Sequence, residues 1–279
     1  MPETVVIVLV LVAAVLHAVW NALVKAGSDK VAMQALMSLF ASLPALAALP
    51  FLPLPLPAAW PMLAISTVVH LAYYVSLVSA YRAGDLSQVY PIARGTSPLL
   101  VGLGAWAFAG ESMSAIEMLG VAIVCAGIIS LTARRGLSAH ERRAIGFALA
   151  TSVTIGLYSV ADGMGVRRAG EPLSYIAWLL ALEAPLAIAA GLWLRRGRIV
   201  VSFRAHARNA FIGGSISALG YGIVIWAMGR LPLAQVSALR ETSVIIAAAI
   251  GALLLRESFG PRRIAAAVMV AGGNALMHL

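Results

Sequence analysis

Two arginines sit where an arginine is expensive. Arg94 and Arg240 each lie about two turns inside a long apolar stretch, and carrying a charge into hydrocarbon costs about 2.5–3.5 kcal/mol on insertion scales. A residue retained at that cost is a candidate for function. The two occupy equivalent places: Gln88-Val-Tyr-Pro-Ile-Ala-Arg-Gly-Thr-Ser97 resembles Gln235-Val-Ser-Ala-Leu-Arg-Glu-Thr-Ser243, with one residue fewer in the second copy. Two guanidinium forks facing one cavity suit a carboxylate, phosphate or phosphonate. The alternative is a structural ion pair for each, with Glu241 as the obvious partner. Glu241 follows Arg240 directly, so the two point about 100° apart on a helix. It can pair with Arg94 across the copies, take a proton, or hold the amino group of a zwitterion. The first copy has Gly95 there, so a charge breaks the symmetry at this point.

Other polar residues interrupt apolar runs. His70 stands mid-run with Tyr73 and Tyr74 after it and Ser66 and Thr67 one turn before. It either titrates near neutral pH or is a neutral histidine bonded to a neighbouring helix. Glu183, two residues before Pro185, reads as a proton or cation site beside a helix break, or as the partner of an arginine. Asp162 lies near the end of its run and is expected to reach the interface. His17, Trp20 and Asn21 share one helix face. Trp20 lines a cavity or joins interfacial aromatics near Lys25, which snorkels to the surface. Tyr90, Pro91, Gly95 and Pro98 mark a bent or unwound segment of the kind that lines transport cavities. Gln88 and Gln235 read as inter-helix hydrogen bonds. The expected substrate contacts are thus Arg94, Arg240, Glu241, His70, Tyr73, Tyr74, Trp20 and Tyr90, with Glu183, Glu241 and His70 as proton-coupling candidates. No metal-ligand spacing or nucleotide phosphate loop is present, so no metal or cofactor is expected. The single cysteine, Cys125, reads as a small core residue.

The elements that position these residues follow from composition. Of 279 residues 61% are hydrophobic and only 11% charged, with a mean hydropathy of +0.93; a soluble domain carries about 25% charged residues. Ten apolar blocks, at roughly 4–25, 31–53, 58–81, 86–109, 114–133, 144–166, 172–194, 209–230, 233–255 and 260–278, have about the length that crosses a bilayer. Backbone in lipid must satisfy itself, so each is a helix, and continuous rather than alternating apolarity excludes a barrel. Short connections predict that consecutive helices pack as antiparallel neighbours. Glycine-rich stretches at 120–127, 213–222 and 270–273 read as close helix packing. Met1-Pro2-Glu3-Thr4 has no basic region ahead of the first block, which therefore reads as a retained helix. The net charge of +9 sits in short gaps between blocks and not on a basic face with aromatics, so nucleic acid is excluded as a partner.

The repeat extends past the arginines. Gly110-Glu111-Ser112 matches Arg256-Glu257-Ser258, and Ala126-Gly127 matches Gly272-Gly273. The boundary between halves falls in the basic connection near Arg134–Arg143, giving repeats of 1–137 and 138–279. Five helices per half is odd, so the second half enters the membrane inverted, with substrate near the midplane. Fifteen of the 20 Lys and Arg residues lie in connections after odd-numbered blocks and three, Arg167, Arg168 and Arg230, after even ones. The positive-inside rule then places odd connections in the cytoplasm and both termini outside.

Two five-helix halves, an arginine-bearing fourth helix that ends in Gly110-Glu111-Ser112, and a glycine-rich fifth helix resemble the EamA-type drug/metabolite transporter superfamily. The opening helix, Leu16-His17-Ala18-Val19-Trp20-Asn21-Ala22-Leu23-Val24-Lys25, resembles a subgroup often associated with phosphonate utilisation. The resemblance implies ATP-independent movement of small organic solutes and cytoplasmic termini; on the termini the charge count says the opposite, and the charge reading is kept. The expectation is an all-α integral membrane protein, multi-pass in a membrane of the bacterial inner type, that carries a small anionic or zwitterionic metabolite such as an amino acid, organophosphate or phosphonate by alternating access. A flippase for a phosphate-bearing lipid would use the same arginines. A cationic-drug exporter lacks its acid in helix one, where only Glu3 stands at the edge, and an integral membrane enzyme lacks clustered acid–base groups near an interface. One duplicated chain is complete, so a monomer suffices and a dimer is not required.

Overall fold

The computed structural model describes residues 2–26, 29–83, 92–130, 138–194, 199–246 and 261–277. Among these there is no strand. The helices are α1 (Glu3–Ala26), α2 (Lys30–Ala48), α3 (Trp60–Ala83), α4 (Ser97–Phe108), α5 (Ala115–Ser130), α6 (Ala139–Arg168), α7 (Pro172–Leu194), α8 (Ile199–Met228), α9 (Leu233–Arg240) and α10 (Pro261–Leu276). Short helical pieces at 92–95 and 242–246 flank α4 and α9.

Six spans are long and apolar enough to cross a membrane: Glu3–Asn21, Val31–Phe51, Pro57–Ala80, Arg142–Arg168, Pro172–Leu194 and His206–Met228. The other four blocks of the sequence run into residues 84–91, 131–137, 247–260 and 278–279, which lie outside the described residues. On α1 the outward stripe is Val5, Val8, Val12 and Val15, and the inward stripe is Val6, Val10, Ala13 and Ala14. Helical spacing separates the two stripes, yet both are apolar. A helix facing water would carry polar groups on the outer stripe; this one faces lipid.

Local chemistry sets the helix ends. Asp29 caps α2 by accepting from the amide of Ala32 at 3.2 Å, as an N-cap aspartate does. Ser114 and Glu117 cap α5 reciprocally: the Ser114 amide donates to Glu117 at 2.7 Å and the Glu117 amide to Ser114 Oγ at 3.2 Å, a capping box. Between α2 and α3 the chain is rich in proline, which has no N–H to give. Its polar groups are met from elsewhere: Ser174 donates to the Pro53 carbonyl at 2.7 Å, Trp60 to that of Pro55 at 3.1 Å, and the Leu56 amide to the carbonyl of Ala169 at 3.1 Å. Pro185 lies within α7, which continues through it. The break expected beside Glu183 is therefore absent, because a proline removes one helical hydrogen bond without ending the helix.

The chain forms two compact units, Met1–Leu71 with Ala161–Arg230, and Ala72–Val160 with Leu231–Leu279. Each draws on both halves of the sequence. In the first, α2 packs along α7 and α8, and α1 along α8; in the second, α5 packs along α10 and α4 along α9. These pairs join opposite halves of the chain, so the expectation that consecutive helices are the main partners is corrected. Small residues decide it. Gly120 on α5 and Gly273 on α10 approach so closely that a Cβ added to either would lie 2.6 Å from the other's carbonyl oxygen, a backbone contact that no larger residue permits.

Candidate functional site

One charged cluster begins with a missing hydrogen. Pro98 has no N–H, so the carbonyl of Arg94, four residues back, loses its helical donor. The helix breaks at Thr96 and restarts at Ser97. The Ser97 hydroxyl replaces the lost donor, 2.9 Å from the Arg94 oxygen, and also lies 3.3 Å from Oε1 of Glu241. In the second copy α9 ends at Arg240, with the Glu241 amide donating to the carbonyls of Ser237 and Ala238 at 3.3 and 3.1 Å before the helix resumes over 242–246. Both arginines thus stand at a break in their helix. Arg240 is at the C-terminal end of α9, where the helix dipole favours a cation.

The breaks bring three charges together. Arg94 Nε is 3.2 Å from Glu241 Oε2, and Arg240 Nε is 3.9 Å from Glu241 Oε1. The side chains are 3%, 2% and 0% exposed for Arg94, Arg240 and Glu241, so two buried cations share one buried anion. Nε and Nη2 of Arg240 have no hydrogen-bond partner among the described residues. At Gly95, the counterpart of Glu241, an added Cβ would lie 3.0 Å from Cγ2 of Ile128. The first copy is therefore closed by packing where the second places its carboxylate.

A second polar cluster lies in the other compact unit. His70 Nδ1 is 3.1 Å from Glu183 Oε1, 3.1 Å from Ser66 Oγ and 3.0 Å from the Ser66 carbonyl. The His70 ring meets Tyr221 edge-on at 5.6 Å. Tyr221 and Tyr175 both donate to Asp162, Tyr175 to Oδ1 at 3.0 Å and Tyr221 to Oδ2. Asp162 is fully buried, which corrects the expectation that it reaches the interface: two phenol hydroxyls replace the water that it would otherwise seek. Glu183 faces a histidine rather than an arginine.

The remaining candidates lie in different surroundings. Tyr73 stacks with Tyr74 and Tyr158, at centroid distances of 5.4 and 5.5 Å. Trp20 is buried against Val24, Met33 and Met37 and donates to His17 Nδ1 at 3.2 Å. Tyr90, Pro91 and Gln88 fall outside the described residues, as do Arg256, Glu257 and Ser258. Ser97, Tyr175 and Tyr221 had not been singled out in the sequence. Ser97 carried a signal, since it precedes the proline that strips Arg94 of its donor; the tyrosines carried none, because their acceptor lies on another helix.

Apolar helices with apolar outer faces, and charges gathered inside, define a multi-pass integral membrane protein. The chain belongs to the EamA-like transporter family, whose sequence profile matches residues 4–133 and again 142–279. Chains of solved structures match as well, 28 in number. One, described simply as "Crystal structure of protein", is 17% identical, covers 98% of this chain and 95% of its own, and superposes with a TM-score of 0.73; it attests the fold alone. No curated protein matches.

Proposed function

We propose that this chain is a secondary transporter of a small anionic or zwitterionic organic metabolite, of the amino-acid, organophosphate or phosphonate class, working without ATP by alternating access. The observation that carries this reading is the charge of the Arg94–Arg240–Glu241 cluster. Two buried guanidinium groups share one carboxylate, and two nitrogens of Arg240 lack an acceptor among the described residues. A buried donor left unsatisfied costs about 1–3 kcal/mol, and more when charged. A carboxylate or phosphonate beside Arg240 supplies the missing acceptors bidentately and balances the charge. A purely structural ion pair would need one carboxylate per guanidinium. The excess positive charge also disfavours a cationic drug as cargo.

The architecture proposed with it is ten spans in two inverted five-helix repeats, 1–137 and 138–279. The twofold match of one family profile supports the repeats, and an odd span number inverts the second. The distribution of Lys and Arg supports cytoplasmic odd connections and outward termini, in a membrane of the bacterial inner type. Both repeats lie in one chain, so a monomer suffices.

The test is thermal unfolding of the purified full-length protein with glutamate, glycerol phosphate, methylphosphonate or tetraethylammonium. A ligand at a hundred times its Kd stabilises by about 2.7 kcal/mol. An anion is expected to raise Tm, and Arg240→Ala is expected to abolish the rise. Stabilisation by tetraethylammonium alone, or undiminished anion binding in both Arg94→Ala and Arg240→Ala, overturns the reading. Stabilisation confined to a phosphate-bearing lipid favours a flippase.

A further inference from the structure

The cluster around His70 takes no part in anion binding and carries the opposite charge. Among the described residues of its compact unit, the buried ionisable side chains other than tyrosine are His70, Asp162, Glu183 and His206, and no Lys or Arg is buried. Taking an ion out of water costs several kcal/mol, so two enclosed carboxylates require a compensating cation. Among the described residues no three His, Cys, Asp or Glu side chains are grouped to hold a metal. The cation that the cluster itself can supply is a proton on His70.

The two carboxylates are held differently. Asp162 accepts a phenol hydroxyl on each oxygen, from Tyr175 and from Tyr221, and hydrogen bonds to the charged form favour ionisation. Glu183 instead faces the imidazole. A carbonyl oxygen can only accept, so the 3.0 Å contact between His70 Nδ1 and the Ser66 carbonyl makes Nδ1 a donor. The same N–H faces Glu183 Oε1 at 3.1 Å. With Nδ1 already protonated, the charge of the imidazole is decided at Nε2.

The neighbouring elements supply no competing cation. α6 contributes Asp162, α7 contributes Tyr175 and Glu183, and α8 contributes Tyr221, whose ring lies 5.6 Å from that of His70. α2, packed along α7 and α8, has no Asp, Glu, His or Arg, its one charged residue is Lys30 at its start, and its buried polar residues are Ser38 and Ser42. On α1, His17 engages Trp20. His70 and Glu183 lie midway along the spans Pro57–Ala80 and Pro172–Leu194, at membrane depth.

We infer that His70 and Glu183 form a proton-binding pair inside the membrane, loaded at His70 Nε2, with Asp162 as a fixed counter-charge held beside it by Tyr221. Loading places one proton from water on the Nε2 lone pair and reduces the charge of the three groups from two negative to one. The use of this site to drive transport rests on the transporter reading; the existence of the site does not.

The test is therefore made without substrate. Full-length protein labelled with ¹⁵N-histidine in lipid nanodiscs is titrated by NMR, the His70 signal being assigned by its loss in His70→Gln. His70 is expected to titrate, and Glu183→Gln is expected to lower its midpoint by about one pH unit or more, the size set by a carboxylate at hydrogen-bond distance. Asp162→Asn and Tyr221→Phe are expected to lower it by less. Tyr221→Phe keeps the ring and removes only the hydroxyl, so it serves as the test if Glu183→Gln does not fold. A His70 that stays neutral at every pH at which the protein is folded, or an unchanged midpoint in the folded variants, overturns the inference. Failure of anion binding has no bearing on this measurement, which separates the two readings.

Discussion

Arg94 and Glu241 meet Nε to Oε2 at 3.2 Å, with 3% and 0% of their side chains exposed, and the same carboxylate is also the nearest anion to Arg240. One acid therefore serves two cations, and the three residues respond unequally to substitution. Breaking a buried pair from one side costs about 3–5 kcal/mol, because the other charge is left behind. Glu241→Gln leaves two guanidinium groups and is expected to lose that much. Arg240→Met removes the surplus cation and is expected to cost far less, or to stabilise, while abolishing anion binding. Thermal unfolding in detergent reads both; a larger loss for Arg240→Met contradicts the charge balance.

The break before α4 makes a second prediction. Ser97 donates to the carbonyl of Arg94 because Pro98 cannot. Ser97→Ala leaves that oxygen without its donor, at a cost of about 1–3 kcal/mol. Adding Pro98→Ala restores an N–H four residues on, and the double variant is expected to regain most of the loss in an unfolding measurement. If it regains none, the oxygen finds its partner by another route.

How much of this was written locally in the chain depends on the residue. Arg94, Arg240 and Glu241 were conspicuous because charge inside an apolar run stands out and because the two copies align. The break near Pro98 was legible for the same local reason, a missing N–H. Glu183 and His70 were visible as charges but not as partners, since no spacing along one helix tells which face of another it meets. Asp162 was misread for that reason too: its tyrosines come from α7 and α8. For Trp20, helical spacing identified a shared face with His17, but only the packing of α2 decided that the ring would be enclosed beside Met33 and Met37. The main helix pairs were hidden because linker length favours neighbours, whereas closest approach is set by glycines such as Gly120 and Gly273, far apart in the chain.

The start of α9 is held from the other half of the sequence. Its N-cap residue, Pro232, offers no side-chain acceptor, and Glu111 accepts from the Leu233 amide at 2.9 Å instead. Gly110, with φ at +68°, makes the turn before it. Glu111→Ala is expected to cost about 1 kcal/mol, the scale of a lost N-cap, and Glu111→Gln less, since an acceptor remains while the charge favoured at a helix start is lost. Hydrogen exchange should quicken at the first amides of α9 in Glu111→Ala and not elsewhere in the chain.

Proton binding at His70 and Glu183 makes a prediction about driving force. With the anion that stabilises the protein most, accumulation in proteoliposomes under an imposed pH gradient is expected to stop when an ionophore collapses the gradient. Glu183→Gln removes the carboxylate that holds the proton on His70, so accumulation should no longer respond to the gradient. Exchange of labelled for unlabelled anion should survive, because a carrier that shuttles loaded in both directions has no need to release a proton between turns. Wild-type accumulation that ignores the ionophore contradicts coupling through this pair. If Glu183→Gln, still folded and still binding the anion, loses exchange along with accumulation, the carboxylate belongs to the substrate's path. The split between exchange and accumulation therefore separates a residue that touches the cargo from one that carries the proton.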